Sequence, residues 1–237
     1  MARFAVLVVL AVVVAVNAQK PLCSPPQFMA GLGFTIGQVG PDKEPVGFTF
    51  NQYGAWDFAN RRLGLNLDIL YPNGTTYSFR VIQDYAQRTQ WTIFDQFRFC
   101  AKQAAPTPEP TNCLPPNSTV AFTGFLGGEK DRVYYDLYAM KLTRGESSDL
   151  EGDLTVTVAK ESNIPLSTNF IGTTYFDGDT PYSQVSTGGY YNVEVGIPDP
   201  KRWFDLPSYC MEATTDLGKL PKHIPNWTRL PNRPRFF

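Results

Sequence analysis

A chain of 237 residues that is 43% hydrophobic, 14% aromatic and 18% charged has the make-up of a folded globular protein, which excludes intrinsic disorder. Its 21 Lys and Arg balance 22 Asp and Glu with no basic run, which excludes the electrostatic footprint of a nucleic-acid binder. A lone histidine, His223, in a Pro-rich tail removes most His-based catalysis and most His-based metal sites.

Residues 1–18 read as a secretory signal peptide. Arg3 supplies the charged start, Phe4 to Val16 is an unbroken apolar run, and Val16-Asn17-Ala18 puts small residues at both cleavage-determining positions. At about 13 residues the run is short of the roughly 20 that span a bilayer as a helix. Cleavage after Ala18 and export are expected; an uncleaved anchor is the competing reading. No second run of spanning length follows, so the chain is not expected to span a membrane.

From residue 19 onward the dominant period is two, which places alternate side chains on opposite faces of a sheet. Leu32, Phe34 and Ile36 alternate with Gly33 and Thr35; Val46, Phe48 and Phe50 with Gly47 and Thr49. Leu63, Leu65, Leu67 and Ile69 form a third set. Leu154, Val156 and Val158 form a fourth, and Tyr191, Val193, Val195 and Ile197 a fifth. Aromatic strands are predicted at 77–82, 91–99, 120–126 and 133–140, and Tyr71-Pro72-Asn73-Gly74-Thr75 is a hairpin signal. Only 206–217 suggests a short helix. The Pro-rich stretch 101–118 reads as a loop within one domain. We therefore expect one β domain over 19–210 and a Pro-rich, basic tail over 211–237.

Four cysteines, Cys23, Cys100, Cys113 and Cys210, in an oxidising compartment argue for two disulfides, and spacing leaves all three pairings open. Three sequons mark a glycoprotein, at Asn73, Asn117 and Asn226. The glycine series from Gly31 to Gly37 lies in an alternating strand, not at a strand-to-helix turn, and reads as strand rather than phosphate loop. Two acidic clusters could attract calcium, Asp149, Glu151 and Asp153, then Asp177 and Asp179; the plain alternative is a solvated turn. With no GxSxG, no second histidine and no identifiable carboxylate pair, the chain is not expected to be an enzyme.

Several segments resemble the ependymin family of secreted glycoproteins. They are Cys23-Ser24-Pro25-Pro26, Trp56 to Leu63, Phe94-Asp95 before Cys100-Ala101-Lys102, Leu114 to Thr119, and Tyr190 to Pro200 followed by Phe204, Pro207 and Cys210. These pieces occur in family order. The resemblance implies two antiparallel sheets stacked into a half-barrel with a hydrophobic pocket, similar to bacterial periplasmic lipoprotein carriers. It also implies lipid binding, calcium-influenced matrix and adhesion roles, and homodimers. It pairs Cys100 with Cys210 and leaves Cys23 for Cys113. Here Asn163-Ile164-Pro165-Leu166 stands where the family has a cysteine-bearing segment.

The expected function is that of a secreted glycoprotein holding a lipid or other apolar ligand between β-sheets. The candidate pocket wall, inward by alternation, is Phe48, Phe50, Leu65, Leu67, Val156, Val158, Val193 and Val195. No cofactor is required, and calcium at Asp177 and Asp179 is the metal the chain admits. The alternative is a structural or adhesive extracellular-matrix component, of the kind found in biomineral coats, with no specific ligand. A packed core and a ligand-lined cavity have the same alternation, so periodicity does not separate the two.

Overall fold

The computed structural model describes residues 22–145, 149–176 and 180–212. The expected signal peptide, the tail beyond 212, Asn226, Asp177 and Asp179 lie outside the described residues. Eleven strands follow one another: β1 (Gln27–Val39), β2 (Pro45–Asp57), β3 (Arg62–Leu70), β4 (Thr76–Asp84), β5 (Thr89–Phe94), β6 (Phe99–Ala104), β7 (Thr119–Leu126), β8 (Val133–Leu142), β9 (Leu150–Ala159), β10 (Pro165–Phe176) and β11 (Thr180–Val195). A short helix, α1 (Pro200–Phe204), comes after them.

The fold is mainly β and antiparallel with little helix, as expected, but the strands form one sheet rather than two stacked ones. Their order is β6-β5-β4-β3-β2-β1-β11-β10-β9-β8-β7. The joint is the β1–β11 ladder, which runs from Phe28 opposite Val195 to Val39 opposite Ser183. The pairing is continuous from Gly31 to Val39 and shifts register only near the end of β11, between Met29 and Gly31. Glycines let large rings cross this joint. Phe34's ring fills the space above Gly188, where a Cβ would lie 2.6 Å from it, and Tyr191 covers Gly31 in the same way. Among the described residues the two end strands, β6 and β7, do not pair with each other, so the sheet stays open.

The β3–β4 hairpin forms at the predicted turn. Gly74 takes a left-handed φ of 82°, its N–H donates to the Tyr71 carbonyl at 2.9 Å, and Asn73 Oδ1 accepts from Thr75 N–H at 3.0 Å. The predicted strand 91–99 is broken in two. A 3-10 turn over Asp95–Phe97 interrupts it, and Arg98 at φ 47° sends the chain back as β6. The helical segment also begins earlier than predicted. Asp199 caps α1 by accepting from Arg202 N–H at 3.3 Å, Pro200 occupies the first turn, and a 3-10 turn follows over Ser208–Glu212.

The two faces of the sheet are covered differently. On one, Trp203 of α1 lies over Gly64, while Ile82, Trp91 and Ile93 pack with Cys100, Cys210, Leu206 and Tyr209. The other, here termed the inner face, carries Leu32, Phe34, Ile36, Leu154, Val156 and Phe170 in one cluster. Leu67, Ile69, Phe79, Val81 and Phe94 form a second cluster on the same face, and Phe48 and Phe50 pack against both.

Candidate ligand face

Strand alternation aims an aromatic series onto the inner face. Phe34 stacks on Phe50 with ring centroids 4.9 Å apart, Phe48 meets Tyr71 at 6.0 Å, and Phe79 stacks on Phe94 at 5.5 Å. Phe48, Phe50, Leu65, Tyr71, Phe99, Tyr138 and Tyr190 on this face are only half-buried. Large rings held in place but not fully covered give an apolar surface that a further apolar body can complete.

A strap lies against this face. The connector 105–118 leaves β6 and runs past the turns on its way to β7. Ala105 N–H donates to the Arg88 carbonyl at 3.0 Å, and Arg61 and Glu109 form an ion pair at 2.6 Å. Cys113 is disulfide-bonded to Cys23. Backbone pairing flanks the bond, Ser24 N–H to Asn112 O at 2.7 Å and Leu114 N–H to Leu22 O at 2.8 Å. Leu114 is buried in the first inner cluster and Leu22 packs on it. Between Leu22, Leu114, Val158 and Pro165 a cleft of about 10 Å³ remains, room for about one water. The second disulfide, Cys100–Cys210, fixes the chain after α1 onto β6.

Polar groups buried in the sheet are mostly paired. Tyr85 O–H donates to Gln83 Oε1 at 2.8 Å, and Gln83 Nε2 donates to Gln90 Oε1 at 2.6 Å. Gln184 Oε1 accepts from Gln38 Nε2 at 2.6 Å and from Thr174 Oγ1 at 2.8 Å. Among the described residues two hydroxyls differ: Thr168 Oγ1 and Tyr190 O–H are buried without a hydrogen-bond partner. Burial pushes the Tyr190 phenol well above its ordinary pKa, so it remains protonated.

The predicted wall residues fall into four groups. Phe48, Phe50 and Leu65 are half-buried on the inner face, and Leu67, Val156 and Val158 are buried within it. Val193 packs against the cluster of Phe28 and Trp56. Val195, opposite Phe28 at the end of β11, is 66% exposed. The reading of Tyr191, Val193 and Val195 as one face fails because the β1–β11 register shifts between Met29 and Gly31, with Asn192 at a left-handed φ of 48°. Sequence reasoning missed Leu22, Leu114, Thr168 and Tyr190. Their roles depend on contacts between distant segments, and Tyr190 had no local signal beyond its place beside a strand glycine pair.

Asn73 and Asn117 are both exposed, and Asn117 Nδ2 donates to the Lys141 carbonyl at 3.1 Å. Glu151 accepts from Tyr175 O–H at 2.9 Å. Among the described residues no group of three His, Cys, Asp or Glu could hold a metal ion, and no helix is long and apolar enough to cross a membrane.

No family model matches the sequence. Development-specific protein LVN1.2 of Lytechinus variegatus is 66% identical over 187 residues, spanning 77% of this chain and 98% of that protein. Among solved structures, the LolA superfamily protein NE2245 from Nitrosomonas europaea matches with 10% identity over 74% of this chain and 89% of its own, at a TM-score of 0.29. A DUF1329 family protein from Desulfovibrio piger matches with 8% identity over 78% and 91%, at a TM-score of 0.31.

Proposed function

The chain belongs to the family of the Lytechinus variegatus Development-specific protein LVN1.2, and from that premise we propose that it is a secreted, non-enzymatic glycoprotein that takes a lipid or other apolar ligand against the inner face of its sheet. The observation that carries this reading is the run of half-buried aromatics, Phe48, Phe50 and Tyr71, beside a buried apolar core. Contact with a ligand removes that surface from water, at roughly 0.8 kcal/mol for each methylene buried. The strap bounds the same face, so a ligand lies beside Leu114 or displaces it. The ependymin-like motifs extend the proposal to a calcium-influenced role in the extracellular matrix, with glycans on Asn73, Asn117 and Asn226. Protein purified from a secreting host, extracted and examined by mass spectrometry, is expected to yield bound lipid. Extracts without lipid, together with no uptake of an added alkane by the stripped protein, overturn the reading.

One observation favours a second, structural reading. Val120, Phe122, Phe125, Leu126, Val133 and Tyr134 are 45–58% exposed on the β7–β8 hairpin, and β7 is an end strand without a charged residue. Such an edge invites pairing with another sheet. On this reading the chain self-associates, as a homodimer or a matrix component, through β7. Sedimentation of wild type against Phe122→Lys decides it: concentration-dependent association that the lysine abolishes supports it, and a monomer at every concentration removes it.

A further inference from the structure

Thr168 and Tyr190 stand out because the polar groups around them are satisfied and they are not. Both belong to the central part of the sheet, on β10 and β11. Thr168 pairs with Gly188 and Val156, and Tyr190 pairs with Leu32, whose side chain is buried in the same cluster. Thr168 opposite Gly188 makes Tyr190, two residues further along β11, its diagonal neighbour at a usual separation of roughly 7–8 Å. Between them Gly188 offers no side chain, and Phe34's ring occupies its space. Thr168 is 0% exposed. A buried hydroxyl without a partner costs stability and persists where something else uses it.

The surroundings restrict what that partner can be. The residues paired with the two in the sheet, Val156 and Gly188 with Thr168 and Leu32 with Tyr190, are all uncharged. Asp136, opposite Val158, is already held by Lys160 at 3.0 Å. An anion placed here would be desolvated without a counter-charge, which is far more costly than burying a neutral oxygen that receives hydrogen bonds. A phenol that stays protonated donates, and a threonine hydroxyl donates or accepts.

Resting on the apolar-ligand reading above, we propose that the Tyr190 and Thr168 hydroxyls form a polar anchor for an uncharged oxygen, a hydroxyl or carbonyl, of a lipid whose hydrocarbon lies along the inner face. The ligand class is then a long-chain alcohol, sterol or ester carbonyl, not a fatty-acid anion.

The test uses the full secreted protein stripped of lipid, with dodecan-1-ol, dodecanoate and dodecane as probes at neutral pH. Dodecanol is expected to bind at least about tenfold more tightly than dodecanoate. Tyr190→Phe and Thr168→Val are each expected to lower the ratio of dodecanol to dodecane affinity roughly three- to tenfold. Each removes an unsatisfied group, so thermal melts should show folded protein with an unchanged or higher Tm. A ratio unmoved in both variants means that the hydroxyls hold water only, and overturns the anchor. Dodecanoate binding as tightly as dodecanol overturns the neutral ligand class. If neither dodecane nor dodecanol binds, the apolar-ligand reading itself falls.

Discussion

Asp57 closes β2 with its side chain 1% exposed and every oxygen engaged. Arg62 Nη2 donates to it at 2.7 Å, Gln27 Nε2 at 2.8 Å and Asn60 N–H at 3.1 Å. Burial pushes this carboxyl up, but the hydrogen bonds, led by the Arg62 guanidinium, outweigh it and hold the pKa below the ordinary value of 3.8. A depressed folded pKa means that the stabilisation is present above the unfolded value and is lost as pH falls through the folded one. Asp57→Asn is therefore expected to cost roughly 1–3 kcal/mol near neutrality, because the hydrogen bonds to a charged carboxylate are lost while Arg62 stays 30% exposed to water. It should also flatten the loss of stability between about pH 5 and pH 2. Urea unfolding across that range checks both, and an unchanged acid slope would refute the assignment. Gly188 gives a second case at this scale. A methyl there meets Phe34's ring at 2.6 Å, so Gly188→Ala should destabilise by about 1–3 kcal/mol through overpacking.

At the scale of elements the strap is the part held least by the sheet and most by covalent bonds. The Cys23–Cys113 bond closes a separation of 90 residues, and in the chain-entropy picture it constrains the unfolded chain by up to about 4–5 kcal/mol. Replacing both cysteines by serine should cost up to that amount. Leu114→Ala, which empties a buried position while leaving the bond, should cost about 2–5 kcal/mol. If the Leu114 variant is neutral in chemical denaturation, the strap does not pack as described. Most strands were legible because their period of two survives in the sequence: Leu63 to Ile69 and Leu154 to Val158 are inner-face residues as read. What was not legible turns on single backbone conformations or on distant partners. In Phe94-Asp95-Gln96-Phe97-Arg98-Phe99 the aromatic spacing hides the turn at Arg98, and the bulge at Asn192 leaves no trace in the alternation. Leu22 and Leu114 sit in Pro-rich segments whose place in the cluster of Phe34 and Val158 no local pattern announces.

At the scale of the molecule, the strands make one sheet because the first pairs with the last. No window of sequence contains that pairing; the expectation of two stacked layers came from the ependymin resemblance, not from the alternation. The single sheet has two edges, and they are unequal. β6 is held by the Cys100–Cys210 bond and by Tyr209 nearby, whose O–H donates to Asp95 at 2.6 Å. Among the described residues β7 pairs only with β8, and all its residues but Gly124 are exposed. Backbone protection follows from how many strands must open before an amide meets water. In dilute protein the β7 amides are therefore expected to exchange with deuterium far faster than those of β1 and β11, which are paired on both sides. If the edge pairs with a second copy, protection of β7 should rise with protein concentration while that of β1 stays constant, and Phe122→Lys should abolish the rise. Slow exchange of β7 in a dilute monomer would mean that this edge is covered, which would contradict its exposure in the structure and remove the basis for self-association through it.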